Sequence, residues 1–179
     1  MKNDRYREAK EIYFKYGGNS FFMTREGDYE HYKSFAVPKE VEKEWMREYR
    51  DTLFAKLHAE TSGDGLTLII SSIISTVSKD SSDVLVTLSE FIQANKESFD
   101  FFTSILIAEA LLKAVKFYGH EDSVSAATVA LSLQILKKLL ERPVTIANDY
   151  LESQHMAGYD FSKENLEKRI KNTLLEWDQ

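Results

Sequence analysis

The sequence contains no cysteine among its 179 residues. This absence excludes disulfides, thiolate metal sites, iron–sulfur clusters and cysteine nucleophiles. Glycine and proline are also scarce, with 7 and 2 residues, and these two residue types mark most tight turns. An all-β fold needs many such turns, so the composition disfavours it.

The sequence also lacks the features of membrane and nucleic-acid binding proteins. The charge-free run 66–78 has 13 residues, whereas a helix needs about 20 apolar residues to cross a bilayer. Residues 1–7 are not followed by the apolar segment of a secretory signal. The net charge is −6, and binding to phosphates requires clustered cations. We therefore expect a cytoplasmic protein that binds neither membrane nor nucleic acid.

The composition that remains is that of an ordinary globular protein, 43% hydrophobic and 29% charged. Charge is concentrated at the start, because residues 1–60 carry 12 basic and 12 acidic side chains, together with 12 of the 22 aromatic residues. The length favours one domain over residues 1–179. Within it we predict an aromatic-rich, charged lobe at 1–60, an apolar helical core at 66–141 and C-terminal helices at 143–179.

Helical spacing dominates this predicted core. Apolar residues recur every three or four positions, which indicates a helix despite their β-branched side chains: Leu66, Ile69, Ile70, Ile73, Ile74 and Val77. Segments 99–118 and 123–141 are apolar on almost every side, as in helices that are packed all round. We interpret these two segments as a central pair.

The fold class predicted from these patterns is all-α, a compact single-domain bundle of about seven to eight helices around two central apolar helices. Pro38 is expected to begin a long helix. Residues 20–24 are ambiguous between a short strand and an irregular segment, and Thr24 is a candidate cap for a short helix that ends near Ser34.

A short HEAT-like solenoid is the alternative fold. Acidic residues that could open helices lie 39 and 38 positions apart, at Asp83, Asp122 and Asp160. Solenoid repeats of two helices have a similar period of about 40 residues. The residues between these positions do not align well, so the bundle is preferred.

The most specific chemical pattern is Glu152-x-x-His155. On a helix these two side chains would share one face and could bind a metal together, as pairs of this kind do in di-iron bundles. Asp28 and His31 form a partial second pair, and Glu90 and Glu109 could supply further carboxylates. The alternative interpretation leaves Glu152 in solvent and His155 at the edge of a helix.

Glu109 is notable because it falls within the most apolar predicted helix. If it were buried without a partner, its pKa would rise and it would be a candidate functional residue. A pair with Lys113, one helical turn away, is the structural alternative.

The aromatic residues of the first lobe suggest a binding surface, since aromatic residues and arginine are enriched where proteins meet partners. The candidate partner-binding residues are Tyr13, Tyr16, Phe21, Phe22, Arg25, Tyr29 and Tyr32. In the alternative interpretation, these large rings simply fill the interior of the lobe.

We therefore predict a non-enzymatic interaction module that binds another protein or a second copy of itself. The sequence identifies no catalytic residue and implies no cofactor. One alternative is a metal-dependent helical enzyme that uses Glu152, His155 and Glu109. Another is a binder of small apolar ligands, with a pocket between the two central helices.

Overall fold

The computed structural model describes residues 6–59, 63–77, 82–118 and 123–177. Within these ranges the chain forms ten α-helices and one 3₁₀ turn, without a strand, so the all-α prediction is confirmed. Backbone contacts group into two units, Met1–Ala55 and Lys56–Gln179, called here the N-terminal and C-terminal units. The expectation of a single domain stays a prediction. Across the same ranges, no helix has the length and apolarity to cross a membrane.

The N-terminal unit contains three short helices and most of a long one. These are α1 (Arg7–Lys15), α2 (Ser20–Arg25), α3 (Tyr29–Ser34) and α4 (Lys39–Ala59). Helix α4 begins at Lys39, one residue after the predicted start, and the Pro38 carbonyl accepts hydrogen bonds from the amides of Val41 and Glu42 at 2.9 and 3.1 Å. The last turn of α4 belongs to the C-terminal unit.

Residues 20–34 fold as two helices, so the strand interpretation of residues 20–24 is wrong. Gly27 separates α2 from α3 with φ of +85°, a conformation that glycine adopts at little cost. Thr24 is not a cap, because it lies inside α2 and its hydroxyl donates to the Ser20 carbonyl at 2.8 Å. The two extra short helices account for part of the difference between ten observed helices and the seven or eight predicted.

Aromatic rings form most of the core of the N-terminal unit. Its buried residues come from all four helices: Ala9, Tyr13, Met23, Tyr32 and Trp45. The Tyr13 ring lies 5.6 Å from the Trp45 ring and 6.2 Å from the Tyr32 ring, measured between centroids. These distances are in the range where aromatic pairs attract each other.

Over the residues that the structure describes, the C-terminal unit contains six helices. They are α5 (Gly63–Ser75), α6 (Ser82–Asn95), α7 (Phe101–Tyr118), α8 (Ser123–Leu139), α9 (Asn148–Glu152) and α10 (Lys163–Trp177). Helices α7 and α8 pack against each other and both contact α10, while α5 contacts α7 and α6 contacts α8. This agrees with the predicted central pair and with a helix over the β-branched run.

Helix α9 returns to the start of the unit and packs on α5. Asp149 accepts a hydrogen bond from the Asp64 amide at 2.6 Å, and the buried Tyr150 hydroxyl lies 3.1 Å from the Thr67 hydroxyl. In a solenoid each repeat contacts its neighbours alone, so this long-range contact favours the bundle. Asp122, on which the repeat period depended, lies outside the described residues.

Candidate functional site

The structure divides the seven predicted partner-binding residues into three groups. Tyr13 and Tyr32 are buried in the core of the N-terminal unit, so they do not lie on an exposed surface. Tyr16 and Tyr29 are half-buried. The exposed members are Phe21, Phe22 and Arg25, which all belong to α2. The candidate surface is therefore the outer face of this one helix.

Helix α2 is short, and two side chains fix its position, one at its start and one on its inner face. The Asn19 carboxamide oxygen accepts hydrogen bonds from the amides of Phe21 and Phe22 at 3.0 and 3.3 Å, which satisfies two of the free amides at the helix start. On the inner face, Met23 is buried in the core. The cap and the buried anchor together hold the outer face in a defined orientation.

The outer face of α2 exposes two large apolar rings beside a cation. Phe21 is 68% exposed and Phe22 is 41% exposed, and their centroids are 5.6 Å apart in an edge-to-face arrangement. The Arg25 guanidinium lies 5.1 Å from the Phe22 centroid, within the range of a cation–π contact. Arg25 also pairs with Glu26 at 2.8 Å. We call Phe21, Phe22 and Arg25 the α2 patch.

Tyr16 takes part in a local polar network that joins α1 to the start of α3. The Tyr16 hydroxyl donates to Asp28 Oδ2 at 2.6 Å, and Lys15 Nζ donates to the same oxygen at 2.9 Å. These hydrogen bonds, that from Tyr16 first, hold the pKa of Asp28 below its usual value. Hydrogen bonding with Tyr16, and next with Asp28, raises the pKa of Lys15. Tyr16 and Asp28 thus already bind each other.

The metal hypothesis relied on a helix through Glu152 and His155, and that premise is wrong. Helix α9 ends at Glu152, and Ser153 is extended with ψ of 126°. His155 follows in the separate 3₁₀ turn Gln154–Met156. In the second pair, His31 Nε2 contacts Glu8 at 2.8 Å. Over the described ranges, no three His, Asp or Glu side chains gather as a metal site would require.

Glu109 is partnered, although not by Lys113. Its two carboxylate oxygens accept hydrogen bonds from Arg169 Nε at 2.8 Å and Arg169 Nη2 at 2.6 Å. The guanidinium also donates to the Tyr159 hydroxyl at 2.8 Å. The hydrogen bond with Glu109 is the largest cause of a raised Arg169 pKa. This two-point ion pair joins α7 to α10 and explains Glu109 as a structural residue.

The predicted apolar pocket was compared with the cavity beside α7, and charged side chains are among the residues that line this cavity. A cavity of about 280 Å³ in the C-terminal unit lies beside α5 and α7, and Glu109, Lys113 and Arg169 are among its lining residues. Thus this cavity is not the purely apolar space between α7 and α8 that the sequence suggested.

Sequence reasoning missed two features that matter here. It did not identify Arg169 as the partner of Glu109, because two adjacent basic residues, Lys168 and Arg169, are typical of surface charge. It also did not foresee that Asn19 caps a helix, although the Gly17-Gly18-Asn19 turn followed by apolar residues is a usable signal. Comparisons with protein-family models, with curated proteins and with solved structures find no match to this chain.

Proposed function

We propose that this protein is a non-enzymatic binding module and that the α2 patch is the surface that contacts its protein partner. The observation that carries this proposal is the exposure of two adjacent phenylalanine rings on a capped and anchored helix. Exposed apolar patches with a polar border mark interaction sites. Aromatic residues and arginine also contribute most of the binding energy at such sites.

The size of the patch favours a partner other than a second copy of the chain. Two phenylalanine rings at these exposures offer roughly 200 Å² of surface, whereas a stable interface buries about 800 Å² on each side. Two copies that met through this patch alone would therefore not form a stable dimer. A different protein with an apolar groove could surround the rings and bury additional surface around them.

The rigidity of α2 supports this function. Ordering a side chain or a loop during binding costs free energy, and a surface that is already ordered avoids that cost. The Asn19 cap and the buried Met23 fix the backbone of α2 before any partner binds. The edge-to-face contact of the two rings and the Arg25 contact restrict the side chains as well.

Affinity capture with matched variants tests the proposal. The wild-type chain, the double variant F21S/F22S and the control L175S are immobilised in equal amounts and exposed to lysate from the native source. Leu175 is 66% exposed and lies in α10 of the C-terminal unit, so it matches Phe21 in exposure. We expect a stoichiometric partner on wild type and L175S, with about a tenfold or larger loss of affinity for F21S/F22S.

Two further measurements complete this test. Far-ultraviolet circular dichroism should give the same spectrum for all three proteins, because the substituted rings are outside the core. Light scattering should show the wild-type chain as a monomer. Capture that is equal for wild type and F21S/F22S, or a dimer that F21S/F22S dissolves, would contradict the proposal.

A further inference from the structure

A cavity of about 370 Å³ lies within the N-terminal unit, on the inner side of α2. Aromatic rings, one buried methionine and two charged side chains are among its lining residues, which include Tyr13, Met23, Tyr29, Tyr32, Lys33 and Glu42. Its volume is within the range of small-ligand pockets. None of the three residues of the α2 patch is among those that line it, so the cavity is a separate feature.

Two oxygen atoms on the cavity wall, those of the Tyr13 hydroxyl and Glu42 Oε2, can accept further hydrogen bonds. Tyr13 is only 6% exposed, and its hydroxyl makes no hydrogen bond with any residue that the structure describes. Burial raises the Tyr13 pKa to about 12, so this hydroxyl is neutral at neutral pH. Glu42 Oε1 accepts a hydrogen bond from the Tyr32 hydroxyl at 2.6 Å, whereas Glu42 Oε2 accepts none within the described ranges.

The position of Tyr13 in the cavity depends on Gly18. Gly18 has φ of +73°, and a Cβ atom at this residue would lie 2.6 Å from Cζ and 2.7 Å from Oη of Tyr13. The backbone of Gly18 therefore touches the hydroxyl end of Tyr13, and both residues line the cavity. A larger residue at position 18 would push the phenol out of its place.

We propose that this cavity binds an organic ammonium group, with Glu42 as its counter-ion and the rings of Tyr13, Tyr29 and Tyr32 as its walls. A carboxylate attracts a cation directly, and aromatic faces attract it through their quadrupole. The unused oxygens of Tyr13 and Glu42 can accept hydrogen bonds from an N–H donor. A neutral apolar ligand of the same shape gains none of these electrostatic interactions.

Lys33 supplies the opposing charge at this cavity. Its Nζ lies 5.9 Å from the Tyr29 centroid, so the Lys33 ammonium competes with a ligand ammonium for the face of Tyr29. Because Lys33 is exposed and carries the same sign as the ligand, it weakens binding modestly. The variant K33M is therefore expected to bind an ammonium probe about twofold to threefold more tightly, as removal of a screened like charge predicts.

Nuclear magnetic resonance of the methionine methyl groups tests the proposal on the full chain. Met23 lines the cavity, so its methyl signal reports on occupancy. The probes are choline, n-butylammonium and the neutral choline isostere 3,3-dimethylbutan-1-ol, at constant ionic strength. We expect a saturable shift of the Met23 signal with an ammonium probe and at least about tenfold weaker binding of the neutral isostere.

Glutamate variants of α4 provide the matched control. In E42Q the amide oxygen can still accept the Tyr32 hydrogen bond, so the fold is kept while the charge is lost. Glu44 lies two residues further on the same helix and does not line the cavity. We expect E42Q to weaken binding about tenfold or more and E44Q to change it less than about twofold. Equal effects of the two variants, equal binding of the neutral isostere, or no saturable Met23 shift would overturn the proposal.

A peptide arm identifies the source of the ammonium group. Peptides that contain lysine or trimethyllysine are compared with a norleucine peptide in the same experiment. Binding of a lysine or trimethyllysine peptide, with the norleucine peptide inactive, supports a side chain of a protein as the ligand. Binding of the free amines alone supports a small metabolite. Because F21S/F22S leaves the cavity intact, this variant should bind the probes like wild type even if the α2 patch has no partner.

Discussion

The two units of this chain are built from different side chains. The N-terminal unit has a core of phenols, an indole and a methionine, and its cavity is lined by hydroxyl and carboxylate groups. The C-terminal unit has a core composed mostly of leucine, isoleucine and phenylalanine. Among the ion pairs described for this unit, Glu109 with Arg169 is the most buried, and two hydrogen bonds join its side chains.

This difference suits the N-terminal unit to ligand binding and the C-terminal unit to a structural role. Tyrosine rings carry hydroxyl groups that can contact a ligand, whereas leucine and isoleucine side chains carry no polar atoms. Both features that we assign to binding, the α2 patch and the ammonium cavity, lie in the N-terminal unit. The polar groups of the C-terminal unit described above mostly satisfy one another.

The largest difference between the two units is expected in the free energy of unfolding when one buried side chain of each core is truncated. Phe102 is fully buried and touches the rings of Tyr150, Tyr159 and Phe161 at centroid distances of 5.0, 5.4 and 5.0 Å. We expect F102A to lower the free energy of unfolding by about 3–5 kcal/mol. M23A should cost less, about 2 kcal/mol, because it enlarges an existing cavity.

Urea unfolding, followed by circular dichroism and by tryptophan fluorescence, measures both costs. With Trp177 replaced by phenylalanine in every protein, Trp45 in the N-terminal core reports on M23A, while the helical signal reports on F102A. A cost for M23A that equals or exceeds that of F102A would show that the two cores are packed alike, and would remove the contrast.

The second largest effect on stability is expected when the ion pair between Glu109 and Arg169 is broken. E109Q leaves Arg169 partly buried without its counter-charge. Side-chain exposures are 12% for Glu109 and 29% for Arg169, so we expect a loss of about 2–3 kcal/mol, less than for a fully buried pair. In E176Q, which breaks the exposed pair with Lys116, no measurable change is expected. Equal melting temperatures for E109Q and E176Q would mean that the Glu109 pair is not structural.

Substitution of single glycines should lower the stability less than truncation of the core or loss of the Glu109 ion pair. Gly63 has φ of +65°, and a Cβ atom there would clash with the carboxylate of Asp149. Gly158 has φ of +81° with no atom near its Cβ position. G63A should therefore cost about 2 kcal/mol and G158A about 1 kcal/mol, since both are strained but only G63A displaces Asp149.

Thermal unfolding of the two glycine variants measures this difference. If G158A proves as costly as G63A, backbone strain accounts for the whole effect and the contact of Asp149 with the start of α5 contributes little.

The sequence was informative wherever a pattern was long. The spacing of Ile69, Ile70 and Ile73 predicted α5 correctly because three or four turns repeat the same face. Helix α2 has only six residues, so it offers too little periodicity to be distinguished from a strand, and its start depends on one capping side chain, that of Asn19.

The surroundings of the candidate residues were less predictable, because several of their contacts join residues that are distant in the sequence. Arg169 lies 60 residues from Glu109, and no local pattern pairs them. The break at Ser153 depends on its extended backbone, which separated Glu152 from His155. The burial of Tyr13 and Tyr32, against the exposure of Phe21, follows from how four helices pack, and alternative interpretations of the aromatic lobe fitted the sequence equally well.

Site-specific photo-crosslinking tests most directly the claim that the N-terminal unit binds the protein partner. Benzoylphenylalanine is placed at position 21 or at position 175, two sites with nearly equal exposure. After irradiation in lysate from the native source, we predict one discrete adduct from position 21 and none from position 175. Adducts of equal yield from both positions, or an adduct from position 175 alone, would contradict the assignment of binding to the N-terminal unit.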